Sequence, residues 1–281
     1  MRYGFVIPGG SARFCAEMSH EAEQAGWDGV FIPDAISIRT TEGILSFEDP
    51  WVTLGAMAMC TNRVILGPMV TPVSRRRPWK LAREVLTLDH LSEGRIVLPV
   101  GLGSKDDLGF EAVGDTLDRK IRAELLDEGL AIIDGLWSGE PFSFQGKHYH
   151  IENIQILPKP VQQPRPPIWV VGVWPRAKSM RRILHWDGVL PAICNEQGEW
   201  RQTIPEDVHM IYDYVSAQRQ DKGPFEIVLE GKTSTDPQKA LEKLQPFIDA
   251  GMTWWIETMW SGPNYPEDIR ARIRSGPPVG K

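Results

Sequence analysis

Eight short runs of almost uninterrupted apolar residues alternate with longer amphipathic stretches along the whole chain. They fall at residues 2–8, 28–34, 63–72, 95–103, 168–173, 187–192, 225–231 and 253–259. Runs such as FVIP, VILG, IVLPVG and IWVVG lack the in–out alternation of a strand with one wet face, so they suit parallel strands buried on both faces. The stretches between them open with readable helix starts. Asp49-Pro50 and Asp236-Pro237 each place a capping carboxylate before a proline at the first helical position. Pro78 and Pro175 read as first-turn prolines too. From Pro78 the apolar residues Leu81, Val85, Leu88 and Leu91 form a stripe on one helix face, and Gly94 supplies a left-handed stop. Eight strands alternating with about eight helices define the α/β class and a single (β/α)8 TIM barrel, one domain over residues 1–281. A doubly wound sheet is the alternative, and eight strands favour closure.

The spacing widens once, between the fourth and fifth runs. A loop (104–115) and a long amphipathic helix (about 117–137) are followed by an insertion at about 138–167. Within it FSFQGKHYHI alternates around Gln145-Gly146 and reads as a hairpin. Pro158, Pro160, Pro164, Pro166 and Pro167 then make an extended linker.

Composition removes several classes of function. Hydrophobic residues at 42% and charged residues at 24% are ordinary for a folded globular protein and rule out a disordered one. With 31 Lys and Arg against 37 Asp and Glu, the chain lacks the basic footprint of a nucleic-acid binder. No stretch approaches the ~20 apolar residues of a membrane span, and the N-terminal apolar run is too short for a signal peptide. Cys15, Cys60 and Cys194 lie far apart, which reads as reduced thiols and a cytoplasmic location.

Common catalytic motifs fail as well. Gly101-Leu-Gly103 lacks the third glycine of a dinucleotide fingerprint, and there is no phosphate-binding P-loop or serine nucleophile elbow. His20-Glu21 is followed by Gln24, so the zinc-protease pattern is broken. His148 and His150 share a strand face with no third ligand nearby and read as hairpin surface, so no metal is expected.

In such a barrel the active site lies at the C-terminal strand ends. Read in order, these ends include Pro8-Gly9-Gly10, Asp34-Ala35, Met69-Val70-Thr71, Gly101 to Ser104, Gly172-Val173-Trp174, Leu190-Pro191, Glu230-Gly231 and Glu257 to Trp260. This mouth is expected to be apolar and glycine-rich with few charges, a lining for a flat aromatic cofactor. One anion site is expected where Gly172 to Arg176 leads into a helix near Pro175.

The segments in order resemble the bacterial luciferase-like flavin-dependent oxidoreductase family. The best matches lie between Thr61 and Gly103: LGPMVT, RRPWKLAR, TLDHLSEGR and VGLG. Further matches are EAEQAGWDGVFIPD, LDEGLAIIDGLW and PKPVQQPRPPIWVVG, so the likeness spans roughly the first two hundred residues. The family implies a barrel that binds FMN or, in a large branch, the deazaflavin coenzyme F420. By position, Met69, Val70 and Thr71 back the ring, at a point where the family often carries a bulge and a non-prolyl cis peptide. Gly101, Gly103 and Ser104 line the ring or its side chain, and Gly172, Val173, Trp174 and Arg176 hold phosphate. Asp89, Ser92 and Arg95 fall on the opposite, stability face and read as a packing device. Many relatives carry His where this chain has Ala35.

The expected function is oxygenation of a small organic substrate by reduced FMN and oxygen, with the flavin supplied by a separate reductase. The alternative is hydride transfer with the deazaflavin, whose longer acidic tail would suit Lys105 and Arg75 to Arg77. A third reading, motivated by Ala35, is a flavin-binding protein without catalysis. Asp34, Glu230 and Glu257 are the acids at the mouth. A carboxylate in an apolar rim can serve as general acid or base, and Glu257 is the preferred one, with Asp34 second, unless Glu257 pairs with Arg270 or Arg272. A homodimer is expected, with Trp51, Leu54, Met57, Met59 and Trp79 either forming its face or packing on the barrel.

Overall fold

The eight expected strands pair into one closed parallel ring. They are β1 (Arg2–Val6), β2 (Gly29–Ile32), β3 (Ile65–Pro68), β4 (Leu98–Gly101), β5 (Ile168–Trp174), β6 (Gly188–Cys194), β7 (Glu226–Gly231) and β8 (Trp254–Glu257). The structure is a computed structural model that describes residues 1–40, 43–221, 223–260 and 267–278. Around the ring the order is β3, β2, β1, β8, β7, β6, β5, β4. Closure depends on β3. Ile65–Pro68 pairs with β2; the chain then passes a cis peptide between Met69 and Val70, and Thr71–Pro72 pairs with β4. A bridge from Leu66 to Ile96 joins the same two strands lower down. The third run expected at 63–72 is therefore two strand pieces that face different neighbours.

Nine helices surround the ring among the described residues: α1 (Ala12–Gln24), α2 (Pro50–Met59), α3 (Pro78–Leu91), α4 (Leu108–Glu111), α5 (Arg119–Trp137), α6 (Ala177–Ile183), α7 (Pro205–Gln218), α8 (Pro237–Asp249) and α9 (Glu267–Arg274). Asp49 and Asp236 cap α2 and α8 as expected, each accepting two backbone N–H groups ahead of a first-turn proline. α3 ends at Leu91, and the chain turns through Glu93 and Gly94, both at positive φ. α6 departs from expectation. β5 runs on to Trp174, Pro175 lies outside the helix, and Arg176 is the N-cap.

The insertion holds the expected hairpin, Phe142–Gln145 with His150–Ile154. A second antiparallel pair, Ser37–Thr40 with Gly43–Ser46, sits between β2 and α2. The sequences SIRT and GILS are only four residues long and show no apolar alternation, too weak a pattern to stand out.

The barrel interior is filled by Val6, Phe31, Met69, Val97, Trp169, Val228, Trp254 and Ile256. Phe31, Trp169 and Trp254 form a triangle with centroids 5.3–6.1 Å apart, which plugs the ring below its open end. A larger apolar layer lies between the ring and the helices. Trp51, Leu54 and Met57 belong to it, so α2 leaves only Val52 and Met59 strongly exposed. The dimer face expected on α2 is mostly consumed inside this chain. None of the described helices is long and apolar enough to cross a membrane.

The closed, N-terminal face carries the hydrogen-bond device expected of Asp89, Ser92 and Arg95. Arg95 donates to Thr61 Oγ1 and to the carbonyls of Val64, Ala58 and Thr61, tying the end of α2 to the start of β3. Asp89 accepts from the backbone N–H groups of Val161 and Gln162 and anchors the proline-rich linker. Glu23, at the end of α1, accepts from the N–H groups of Asn62, Arg63 and Val64. Burial works against its charge, but these backbone donors and Arg63 outweigh it and hold the carboxyl below its usual range. A depressed folded pKa adds stability above the unfolded pKa, and that stability is lost as pH falls through the folded one. Glu23→Gln should therefore destabilise the protein at pH 7, with the difference from wild type shrinking below about pH 4.3. Urea melts at pH 7, 5 and 3 would show it, and a difference constant across that range would refute it.

Candidate active site

A cavity of about 1120 Å³ opens at the C-terminal ends of β2 to β6. That exceeds the upper end of ~1,000 Å³ usual for ligand pockets, room for an elongated cofactor and a small substrate together. Its floor is apolar: Met69, Val70, Gly101 and Val171. A Cβ at Gly101 would lie 3.0–3.1 Å from Val171 and Val70, so any larger residue there has to displace them. Gly103 turns the chain away at φ +79, where a Cβ would strike Phe110 and Pro72 at 2.8 and 2.9 Å.

Of the cofactor contacts expected from sequence, Met69, Val70, Gly101, Gly103, Ser104, Val173 and Arg176 line this cavity, whereas Thr71, Gly172 and Trp174 do not. Strand alternation explains the split along β5. Val171 and Val173 face inward; Gly172 packs against Val189 and Ile183, and Trp174 packs edge-on against Tyr214. Thr71 turns its hydroxyl to Asp34, 2.7 Å away.

Both acids expected to be catalytic are tied down. Asp34 receives Arg75 and Arg76 on Oδ1 at 2.7 and 2.8 Å, and Arg76 again, Thr71 and Trp51 on Oδ2. Arg75 also bridges to Asp107, whose carboxylate collects the N–H groups of Ile36, Ser37 and Gly109. This network braces the cavity rim, and it absorbs Arg75 and Arg76, which sequence had offered as free cations for an acidic tail. Arg77 lies over Trp79, outside the cavity. Glu257 was expected at the mouth. Instead it is wholly buried outside the cavity, accepting from Thr233 N and Oγ1, Trp255 Nε1 and Arg272 Nε. As the last residue of β8 it is turned toward α9, away from the barrel axis.

The opposite wall overturns the expectation of few charges. α5 brings Arg119, Lys120 and Arg122; α6 and its cap bring Arg176, Lys178, Arg181 and Arg182. Asp118 caps α5 and starts it so that Arg119 is its first residue. Arg182 pairs with Asp127, while Glu124 is taken up by Lys147 and His148 outside the wall, which bring its carboxyl down to about 2. Arg119 and Arg176 have no carboxylate partner among the described residues. Both lie over the exposed ring of Trp200, at 5.5 and 5.6 Å from its centroid. Burial lowers the Arg119 pKa, and repulsion from Arg176 and Arg122 lowers it further. A cavity wall with crowded, unneutralised guanidinium groups is built to receive anions. Of these residues only Arg176 lies next to a strand end; the others stand on helices. The signal was present in DRKIR and RAKSMRR, the basic openings of the helices that follow β4 and β5.

A closed parallel barrel with a deep cavity at its C-terminal end, apolar at the floor and cationic on one wall, defines a cofactor-dependent enzyme scaffold. The family described as luciferase-like monooxygenase matches residues 2–278, and the chain belongs to it. Among curated proteins, the chain is 28% identical to an F420-dependent glucose-6-phosphate dehydrogenase of Beutenbergia cavernae, covering 90% of this chain and 81% of that one. It is 32% identical to an F420-dependent hydroxymycolic acid dehydrogenase of Mycobacterium tuberculosis, over 57% of this chain and 43% of that one, so less than half of that relative is spanned. Among solved structures, an F420-dependent secondary alcohol dehydrogenase superposes with a TM-score of 0.80 at 16% identity, covering 100% of this chain and 99% of that one. The FMN-bound oxygenating constituent of a Pseudomonas putida 3,6-diketocamphane monooxygenase gives 0.74 at 15% identity, covering 98% and 96%. These two likenesses establish the fold, and they straddle both cofactors. The chain is thus a luciferase-like oxidoreductase with flavin- and deazaflavin-dependent relatives.

Proposed function

We propose that the protein is a deazaflavin-dependent oxidoreductase that transfers hydride to or from a small organic substrate. This reverses the order expected from sequence, where FMN and oxygen came first. The observation that carries the reading is the Arg119–Trp200–Arg176 cluster on the cavity wall. FMN needs one phosphate site, whereas the longer acidic tail of the deazaflavin needs several cations in a row. The curated relatives named F420-dependent dehydrogenases support the same choice.

The residues present fit that coenzyme. Met69, Val70, Gly101 and Val171 offer an apolar bed that a side chain at Gly101 would obstruct, and Arg119 and Arg176 have unspent donors for acidic groups. When bound, the deazaflavin supplies a two-electron hydride acceptor or donor, and oxygen takes no part. The protein orients and shields. Ile38, Ala35 and Trp260 add apolar surface to the cavity rim. Asp34 serves as a brace held by two guanidinium groups. The separate flavin reductase expected with FMN has no role in this reading. The three unpaired cysteines, one of them exposed, support a cytoplasmic setting.

The test is equilibrium binding of the apo-protein to FMN and to deazaflavin carrying one or several glutamates, at two salt concentrations. Deazaflavin should bind at least about tenfold tighter than FMN, about 1.4 kcal/mol. Affinity should rise with tail length and fall with salt. FMN binding as tight or tighter would refute the assignment.

A further inference from the structure

Glu230 stands on the inner face of β7. Val228, two residues earlier, is part of the packed barrel interior, and Glu230 lies abreast of Ile256, another interior residue. Alternation along the strand therefore turns its side chain into the open end of the barrel. On the other side, Ala192 follows Gly188 as Glu230 follows Glu226 in the parallel register, and Ala192 lines the cavity. The side chain thus shares the inner rim with Ala192, although Glu230 is exposed and does not itself line the cavity.

Each acid that lines the cavity is engaged, and so is Glu257. Asp34 and Asp107 hold Arg75, Asp127 holds Arg182, Glu124 holds Lys147 and His148, and Glu257 holds Arg272. The Glu230 carboxylate makes no hydrogen bond or ion pair with any described residue. It is open to solvent through the mouth yet enclosed by the barrel wall, and that enclosure pushes its carboxyl above the usual range. No charged group faces it from the neighbouring strands. On that face β6 presents Leu190 and Ala192, and β8 presents Ile256 followed by Thr258, while the Cys194 thiol is directed to the Trp174 carbonyl.

We infer that Glu230 is the group that takes and returns the substrate's proton, and that the substrate is therefore an alcohol–carbonyl couple. Hydride removal from a carbinol carbon needs loss of a proton from its oxygen, and this is the free carboxylate placed to accept it. In oxidation, the carboxylate takes the hydroxyl proton, the O–H electron pair closes the C=O bond, and the C–H pair leaves as hydride to the deazaflavin. In reduction, protonated Glu230 gives the proton back to the carbonyl oxygen as hydride arrives. The inference rests on the deazaflavin reading above.

The experiment compares wild type, Glu230→Gln and Glu230→Asp, loaded with deazaflavin and offered 2-propanol, 2-octanol and cyclohexanol. Glu230→Gln should lower kcat by about 10²–10⁴-fold, with the deazaflavin Kd and Tm unchanged, and should lose the pH limb that wild type shows. Glu230→Asp should recover part of the rate with that limb restored. A second arm uses the unliganded protein: the infrared carboxyl band present in wild type and absent from Glu230→Gln should titrate above the ~4.3 of a free glutamate. Undiminished turnover in Glu230→Gln overturns the proposal. So does wild type that binds deazaflavin but oxidises none of the three alcohols. Failure to bind deazaflavin overturns the cofactor reading and this inference together; a Glu230 band titrating at the ordinary pH overturns this inference alone.

Discussion

Replacing Arg119 and Arg176 together by alanine is expected to weaken deazaflavin binding by about a hundredfold to ten-thousandfold. Each guanidinium offers a charge-assisted hydrogen bond to an acidic group, at ~1.5–3 kcal/mol apiece, so losing two removes ~3–6 kcal/mol of binding. The single variants should cost less than half of this. Both arginines sit over Trp200, and the one that remains can still reach the same ligand group. Stability should move the other way. Arg119 is crowded by Arg176 and Arg122 in the free protein, so removing two of these charges relieves repulsion and should leave Tm unchanged or raised. Opposite signs for affinity and stability distinguish a ligand-binding cluster from a structural one. Titration calorimetry and thermal melts on the same samples test it. An unchanged Kd, or a fall in Tm, would remove the wall from the cofactor site.

Glu257→Gln should have its effect on stability and leave the chemistry alone. Glu257 and Arg272 are both buried, and the substitution leaves the guanidinium charge without its carboxylate. Breaking such a pair costs about 3–5 kcal/mol, which for a chain of this length lowers Tm on the order of 10 °C. Arg272 keeps Ser275, the Gly276 carbonyl and Thr233, which favours the lower end of that range. Turnover per folded molecule should stay within about threefold of wild type, well short of the ~10²-fold minimum for losing a general acid or base. A large loss of kcat at unchanged Tm would restore Glu257 to the catalytic role first expected of it.

The same two residues show where sequence reasoning ended. Glu257 was placed at the correct end of its strand, but its facing depends on register: in a parallel ring, successive side chains point alternately to the axis and to the helices. Trp254, Trp255 and Ile256 put apolar side chains on both faces, so composition could not say which residues point inward. Once the ring exists, Trp254 and Ile256 go to the axis, and Glu257 goes to Arg272. The same alternation turns Gly172 and Trp174 away from the cavity while Val173 lines it, and it turns Glu230 inward.

The eight strands, the helix starts at Asp49-Pro50 and Asp236-Pro237, the hairpin insertion and the apolar cavity floor were determined by the sequence alone. They depend on local chemistry, namely apolar runs, capping side chains, prolines and glycines, that acts over a few residues. The cationic wall, the burial of Glu257 and the isolation of Glu230 were decided by tertiary structure. Arg119 and Arg176 are 57 positions apart, and their shared field exists only because α5 and α6 meet over the mouth of the barrel. Charges act through space, and nothing in the residues between those two arginines records the distance that closure of the ring imposes on them.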